Sequence, residues 1–331
     1  MSEAMSMDSI RQQSENAYNQ WCKQWREHAI IHSKIPQKSF ADFVAKGIGR
    51  AILCVANGRS FEEQIETIKE NKNKVDILCC DKTLGHLLDD GIEPTYCMVC
   101  DANVDYKKYL EPYMEKLSKT TLFMNVCGNP DWTKNGNWKD IYFFVNKDII
   151  LSEIEFSSLS GCQNFIPAGT NVSNQMIVLL TQCDEHGTKN YFGYDKILLI
   201  GYDYCWRDDK YYAFDNDGGG KNNYMRHVYA IDEAGNYCYT SGNLYFSKEW
   251  VEKYVKVYGC PVVQCTKNTI FAGNRIGDLG KQMNYNFQIE DSEKVREFIK
   301  IKDNLLRNLG QIDISLGKIA RDHYNSFLAT T

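Results

Sequence analysis

The sequence predicts an α/β fold, a mainly parallel sheet with helices on both faces. Short, continuous apolar runs alternate with segments of helical spacing, and each run stops at Gly, Asn or Asp. A run without polar alternation is what a strand buried on both faces requires, and strands separated by helices imply right-handed crossovers between parallel neighbours. With 331 residues the chain has room for one large domain with additions. Hydrophobic residues make up 43% and charged residues 24%, the composition of a globular protein.

Residues 10–32 are rich in helix formers. Tyr18, Trp21 and Trp25 stand three and four apart on one helical face. An N-terminal helical extension over 1–49 is therefore expected to pack on the main domain. Ala51–Ala56 is the first strand, Asn57-Gly58-Arg59-Ser60 breaks it, and Phe61–Glu70 resumes as helix. Val75–Cys80 and a helix over Lys82–Asp89 follow, then Tyr96–Cys100 with a helix over Asp105–Leu117, then a strand at Leu122–Val126. Asn171–Gln182 has helical character and Lys196–Ile200 is a strand. Residues 203–243 are dominated by Tyr, Asn, Asp and Gly, with Gly218-Gly219-Gly220 at the centre; this aromatic-rich insertion is expected to act as a lid or to bind an acceptor. Ser247–Val257 returns to helix, Pro261–Cys265 to strand, and 278–331 forms a helical tail containing an amphipathic helix over Ser292–Leu309. The main domain is placed at 50–277.

No apolar run approaches the ~20 residues that span a bilayer, and the N-terminus is polar where a signal peptide needs an apolar stretch. The protein is expected in the cytoplasm with no membrane partner. The 13 cysteines fall mostly inside strand-like runs and are expected as reduced, buried thiols; Cys97-x-x-Cys100 has the spacing of half a zinc site but no second pair. A net charge of −5 conceals an acidic centre between basic ends, which disfavours a central groove for nucleic acid.

In a parallel sheet, ligands bind at the carboxyl ends of the strands, where strand order reverses. The residues just past each strand are thus the site candidates: Asn57, Gly58, Arg59 and Ser60 after the first, Asp81 after the second, Asp101 after the third, Asn125 after the fourth, Asp203 after Lys196–Ile200. A tight Gly turn before a helix offers unpaired N–H groups to a phosphate, and Ser60 is equally a good N-cap. Gly169, Thr170 and Asn171 open a later helix in the same way. Asp101 and Asp203, carboxylates directly after apolar strands, are candidates to bind Mg2+ or act as a base. His227, beside Arg226 in the insertion, is a third catalytic candidate. Tyr204, Trp206, Tyr211 and Tyr212 are expected as stacking platforms.

The segments NGRS, CCDKTLGHLLDDGIEPTYCMVCDAN, AGTNVSNQM, ILLIGYDYCW, GNYCYTSGNLYFSKEWVEKYV and CTKNTIFAGNRIG together resemble the motifs of the MptE-like superfamily over about residues 50–277. That family takes in archaeal 6-hydroxymethylpterin diphosphokinases and motility-associated-factor glycosyltransferases, and its first turn is similar to the nucleotide loop of bacterial sialyltransferases. The resemblance implies a Rossmann-like fold, a nucleotide donor, and donor contacts at Asn57, Gly58, Ser60, Asp101, Gly169, Thr170 and Asp203. The chain has Arg59, Thr95 and Tyr202 where the family usually has Pro, Asp and Gln. The expected function is transfer of a sugar from a nucleotide-sugar to an acceptor hydroxyl. An ATP- and Mg2+-dependent diphosphokinase and a non-catalytic binding module are the alternatives. The acceptor stays open among a small molecule, a glycan, a protein hydroxyl and a nucleic acid, the last without support in the sequence beyond its basic ends.

Overall fold

The computed structural model describes residues 7–44, 46–147, 152–181, 192–207, 211–215, 228–271, 273 and 275–284. Eight strands form one sheet in the order β10-β7-β1-β2-β3-β4-β5-β6, and every neighbouring pair is parallel. The strands are β1 (Ala51–Val55), β2 (Asp76–Cys80), β3 (Tyr96–Val99), β4 (Thr121–Asn125), β5 (Asp140–Lys147), β6 (Phe165–Pro167), β7 (Lys196–Ile200) and β10 (Val262–Gln264). The helices are α1 (Met7–His32), α2 (Arg59–Asn71), α3 (Asp81–Asp89), α4 (Tyr106–Tyr109), α5 (Asp131–Asn135), α6 (Glu153–Ser160), α7 (Val172–Thr181), α8 (Gly242–Tyr258) and α9 (Leu279–Met283). A separate antiparallel hairpin pairs β8 (Val228–Ile231) with β9 (Tyr237–Thr240). The chain builds outward from β1 to β6 and then crosses back to place β7 on the other side of β1. The gap between β1 and β7 is therefore the point where strand order reverses.

The sheet is buried on both faces, as its continuous apolar runs require. Ile52, Cys54, Leu78, Met98, Phe123 and Leu199 face one core with α7 and α8. Leu53, Val55, Ile77, Cys97, Met124 and Leu198 face the other, with residues of α2, α3 and α6. The segment ahead of β1 is part of this packing. Phe43 stacks on Phe192 at 5.0 Å and meets Tyr96, Phe123 and Tyr142. The extension assigned to 1–49 thus contributes directly to the core of the sheet.

Several elements differ from the sequence expectation. The helix placed over Asp105–Leu117 is a short α4 followed by a 3-10 turn at Glu111–Lys116. Pro112 lacks the N–H that an α-helix would use there. β5 and β6 were not anticipated; β5 carries aromatic residues next to polar ones and β6 is three residues long. All 12 described cysteines are free thiols, nine of them buried. The helix expected over Ser292–Leu309 lies outside the described residues.

The β1/β7 junction is closed by two glycines and one acid. Gly58 N–H donates to the Gly201 carbonyl at 2.9 Å, and a Cβ on Gly58 would lie 2.5 Å from that oxygen and 2.7 Å from Asp203 Oδ2. Gly201 has φ +75°, and a Cβ there would lie 2.0 Å from the Ala56 carbonyl oxygen. Ser60 N–H and Oγ–H donate to the two Asp203 carboxylate oxygens at 2.8 and 2.5 Å, while Gly201 N–H donates to Ser60 Oγ at 2.9 Å. Asp203 therefore caps α2 from a position 143 residues away in the chain.

Three consequences can be measured. Gly58→Ala should cost about 1–3 kcal/mol in denaturant unfolding, because a backbone carbonyl must move to admit the methyl group. Phe43→Ala should cost about 3–5 kcal/mol; an unchanged unfolding midpoint would show residues 33–49 to be independent of the core. Burial raises Asp203 from 3.8 to about 7 against the lowering effect of Ser60, with Glu63 raising it further and Arg207 lowering it. The folded state therefore holds a proton that the unfolded state releases. This contribution to stability is complete below about pH 4 and is lost as pH rises to about 7. Unfolding midpoints measured from pH 4 to 8 should show a downward component in the wild type that is absent in Asp203→Asn.

Candidate functional site

A cleft of about 360 Å3 opens over the carboxyl ends of β3, β4 and β5. Its floor is made by Cys100, Asp101, Ala102 and Asn103 after β3, Asn125 and Cys127 at the end of β4, and Val145 and Asn146 of β5. Trp21 and Trp25 of α1 form one wall, with Ser152 and Phe156 at α6 completing it. No basic residue is among these described lining groups.

α1 lies across this edge because the edge supplies carbonyls for it. His28 and His32 each donate from Nδ1, to the Cys127 carbonyl at 2.9 Å and the Val126 carbonyl at 2.8 Å. Burial lowers the His32 imidazole to about 4, so it is neutral at pH 7 and its Nδ1 carries the proton. Gln24 donates to Asn103 Oδ1 at 3.0 Å. Farther out, Arg26 and Tyr18 both donate to Glu155 of α6 at 2.5 Å. The N-terminal helix is thereby part of the site.

Asp101 is exposed at the cleft, and its Oδ1 accepts from Asn103 N–H at 2.8 Å, which fixes the turn after β3. Asn125 Oδ1 accepts from Cys127 N–H at 2.8 Å. Beneath them, Gln175 of α7 donates to Asn146 Oδ1 and accepts from the Cys100 thiol at 3.0 Å. Burial pushes that thiol well above its usual range, so it stays protonated as a donor. The other side of the same helical turn reaches β7: Tyr202 donates to the Ser173 carbonyl at 2.7 Å and Tyr204 to Asn174 Oδ1 at 2.5 Å. The first turn of α7 thus sits at the centre of the carboxyl edge.

Asn57 is the most unusual of the anticipated residues. It follows β1 at the strand-order reversal, is 8% exposed, and neither its Oδ1 nor its Nδ2 has a hydrogen-bond partner. Its backbone carbonyl accepts from Ala213 N–H at 3.0 Å, so the 211–215 stretch of the insertion lies over it. A buried carboxamide with both ends unsatisfied costs stability and calls for an explanation, of which a ligand is one.

Other anticipated residues have internal partners. Ser60 and Asp203 are buried and bonded to each other, so the Ser60 N–H and hydroxyl expected to meet a phosphate are already occupied. Gly58 packs against that pair. Arg59 forms an ion pair with Glu63 at 3.5 Å along α2. Asp81 is buried at the first turn of α3, where its Oδ1 accepts from Lys82 N–H at 2.7 Å. Asn171 caps α7 by accepting from Asn174 N–H at 2.8 Å. Gly169 approaches the Gln175 amide so closely that a Cβ would lie 2.6 Å from it, and Thr170 is exposed with φ +66°. His227 lies outside the described residues.

The two acids lie apart, and one expectation, the open aromatic platforms, needs correction. Three strand spacings separate the ends of β3 and β7, about 14 Å, so Asp101 and Asp203 do not share a metal ion. Among the described residues no three His, Cys, Asp or Glu side chains converge as a cation site, so either acid would hold Mg2+ only together with ligand phosphates. Tyr204 and Trp206 are buried and are not open platforms; Tyr204 packs in the main core against Phe271, and Trp206 stacks on Tyr239 and meets Tyr211. The aromatic residues that do reach a cleft, Trp21 and Trp25, were assigned from their spacing to packing alone.

No helix among the described residues is long and apolar enough to cross a membrane. No curated protein sequence matches the chain. Among solved structures, the MAf glycosyltransferase from Magnetospirillum magneticum AMB-1 is similar with a TM-score of 0.58 and 14% identity, over 85% of this chain and 42% of that one. The chain therefore spans well under half of that protein, and the likeness is one of fold, a Rossmann-like arrangement in both. Residues 27–209 match the family described as 6-hydroxymethylpterin diphosphokinase MptE-like. With more than half of its length in that match, and with the parallel sheet and reversal point described above, the chain belongs to the MptE-like family.

Proposed function

We propose that the protein is a glycosyltransferase that moves a sugar from a nucleotide donor to an acceptor hydroxyl. The observation that carries this reading is the pairing of two unlike features on one sheet edge. The orphaned Asn57 carboxamide lies at the reversal point, and the exposed Asp101 carboxylate lies in the cleft two strand spacings away, about 10 Å. An extended nucleotide-sugar covers that span.

In this reading, Asn57 gives its one acceptor and its amide hydrogens to the base or ribose of the donor, which satisfies both orphaned atoms. Ser60, Asp203, Gly58 and Gly201 shape the turn that presents it and do not touch the phosphate. The donor phosphate is assigned to the start of α7, a ten-residue helix whose positive end points into the edge and is preceded by the exposed Thr170, held at φ +66°. Asp101 is the general base. The acceptor oxygen forms a bond to the anomeric carbon as the bond from that carbon to the phosphate oxygen breaks. The hydroxyl proton goes to Asp101, and the nucleotide leaves with the electron pair.

The family's description as a 6-hydroxymethylpterin diphosphokinase type favours a second reading, pyrophosphoryl transfer from ATP to a pterin alcohol. That chemistry needs cations around three phosphates. Neither a basic lining residue nor a metal-binding cluster occurs in the cleft among the described residues.

Thermal unfolding with CMP, CDP, UDP, GDP, ADP and ATP, each with and without Mg2+, separates these readings. A ligand at 100 times its Kd adds about 2.7 kcal/mol. A shift selective for a pyrimidine or guanine nucleotide is expected, selectivity for ATP with Mg2+ would transfer the assignment to the kinase, and no shift from any nucleotide would leave a non-catalytic module. Asn57→Ala should lose the nucleotide shift while keeping or raising the melting temperature of the free protein, since it removes two unsatisfied buried atoms. Asp101→Asn should keep the nucleotide shift and lower transfer about 100- to 10,000-fold.

A further inference from the structure

The family match begins at residue 27, so Trp21 and Trp25 lie ahead of it. These two side chains nevertheless wall the cleft that contains Asp101. They stand one helical turn apart on α1. Trp25 is held edge-on by Tyr18 at 6.5 Å and Phe156 at 6.2 Å, whereas Trp21 is 38% exposed. The helix that presents them is fixed by the bonds from Gln24, His28 and His32 to the turns after β3 and β4. An exposed indole on a helix fastened at several points is a preformed surface, because its orientation is set before any ligand arrives.

Opposite the indoles, the polar groups have a defined sense. Asn125 Oδ1 is taken by Cys127 N–H and Asn146 Oδ1 by Gln175, so what these side chains offer a ligand is their NH2 groups. Asp101 offers an acceptor. A volume of about 360 Å3 lies at the lower end of the range for small-molecule clefts, roughly 300–1,000 Å3. With a carboxylate at its floor and no basic residue among its described lining groups, the cleft disfavours phosphate and other anions.

An aromatic face on one side with amide donors and one carboxylate on the other matches the two-sided character of a pyranose ring. Such a ring has an apolar C–H face and a rim of hydroxyls. We propose that this cleft is the acceptor subsite and that its occupant is a neutral sugar. The sugar's C–H face lies on Trp21, its hydroxyls bond to Asn125 and Asn146, and its reacting hydroxyl points at Asp101. This assignment rests on the glycosyltransferase reading and adds the chemical class of the acceptor. It makes the part of α1 that lies ahead of the family-matched residues a specificity element.

Saturation-transfer NMR on the full chain tests the assignment without requiring turnover. The probes are methyl glucoside, methyl galactoside and methyl N-acetylglucosaminide, with 6-hydroxymethylpterin as the competing planar ligand. At least one glycoside is expected to receive saturation through its ring C–H protons. Trp21→Ala should weaken that binding tenfold or more without changing the melting temperature, because Trp21 has exposed surface and no aromatic partner among the described contacts. Trp25→Phe, which keeps an aromatic ring against Tyr18 and Phe156, should weaken it less. Absence of glycoside binding, or binding that Trp21→Ala leaves unchanged, overturns the sugar assignment. Binding of the pterin in place of the glycosides, with the same dependence on Trp21, overturns it as well. The donor reading is scored separately by the nucleotide thermal shifts. Glycoside binding without any nucleotide shift would leave a sugar-binding cleft and remove the glycosyltransferase, whereas nucleotide shifts without glycoside binding would do the reverse.

Discussion

The geometry of the carboxyl edge depends on how closely β1 and β7 approach after they leave the sheet. Gly58 and Gly201 exchange a backbone hydrogen bond with no space for a side chain on either residue. Asp203 then reaches into the start of α2 and takes the Ser60 amide and hydroxyl. A helix start needs an acceptor for its unpaired N–H groups, and here the chain supplies one from its own second half. The consequence is a division of labour. The turn after β1 is rigid and self-satisfied at Ser60, and its only unpaired side chain, among the described residues, is Asn57 one step before Gly58.

The first turn of α7 extends that rigidity across the sheet. Ser173 and Asn174 receive the hydroxyls of Tyr202 and Tyr204 just after β7, while Gln175 receives the Cys100 thiol and donates to Asn146. One helical turn therefore ties the reversal point to the cleft over β3, β4 and β5. Each link is a buried or part-buried polar contact, and such contacts discriminate strongly between a correct and a shifted arrangement, because a broken one leaves a desolvated group unpaired. Asn57 and Asp101 are thereby held at a set separation by parts of the chain that touch neither.

The sheet was legible in the sequence because a strand buried on both faces leaves a local signature. AILCV, ILCC, YCMV and ILLI are continuous apolar runs, and each lies in a strand of the central sheet. β5 carries the same signature in Ile141–Val145, and it was missed because its polar ends, Asp140 and Asn146-Lys147, give no Gly turn or helical segment beside it to mark a strand–helix unit. The site was legible only as a set of positions just past strand ends. Polarity at those positions distinguishes surface from core, but it does not distinguish a residue that caps a helix from one that waits for a ligand. Asp203 and Asp101 look alike in sequence, each a carboxylate after an apolar strand. Asp203 is buried against Ser60, and Asp101 is exposed at a cleft, because of contacts made by residues far away in the chain.

The indoles of α1 show the same limit from the opposite direction. An aromatic pair at helical spacing is the ordinary signal of a face packed on a core, and Tyr18 and Trp25 do pack, against Phe156. Trp21 has the same spacing and a different environment because α1 crosses the ends of the strands instead of a sheet face. That crossing is set by polar anchors. His28 and His32 find carbonyls after β4 that have no further strand residue to pair with, and Gln24 finds Asn103. A helix anchored by hydrogen bonds at a sheet's edge leaves part of that edge uncovered, here the space lined by Asp101, Asn125 and Asn146. The remaining gap is the cleft, and the side chains facing it are Trp21, ahead of the anchor at Gln24, and Trp25, between the anchors at Gln24 and His28. The cleft, the exposure of Trp21 and the accessibility of Asp101 therefore have one structural cause, the docking of α1 onto the carbonyls after β4.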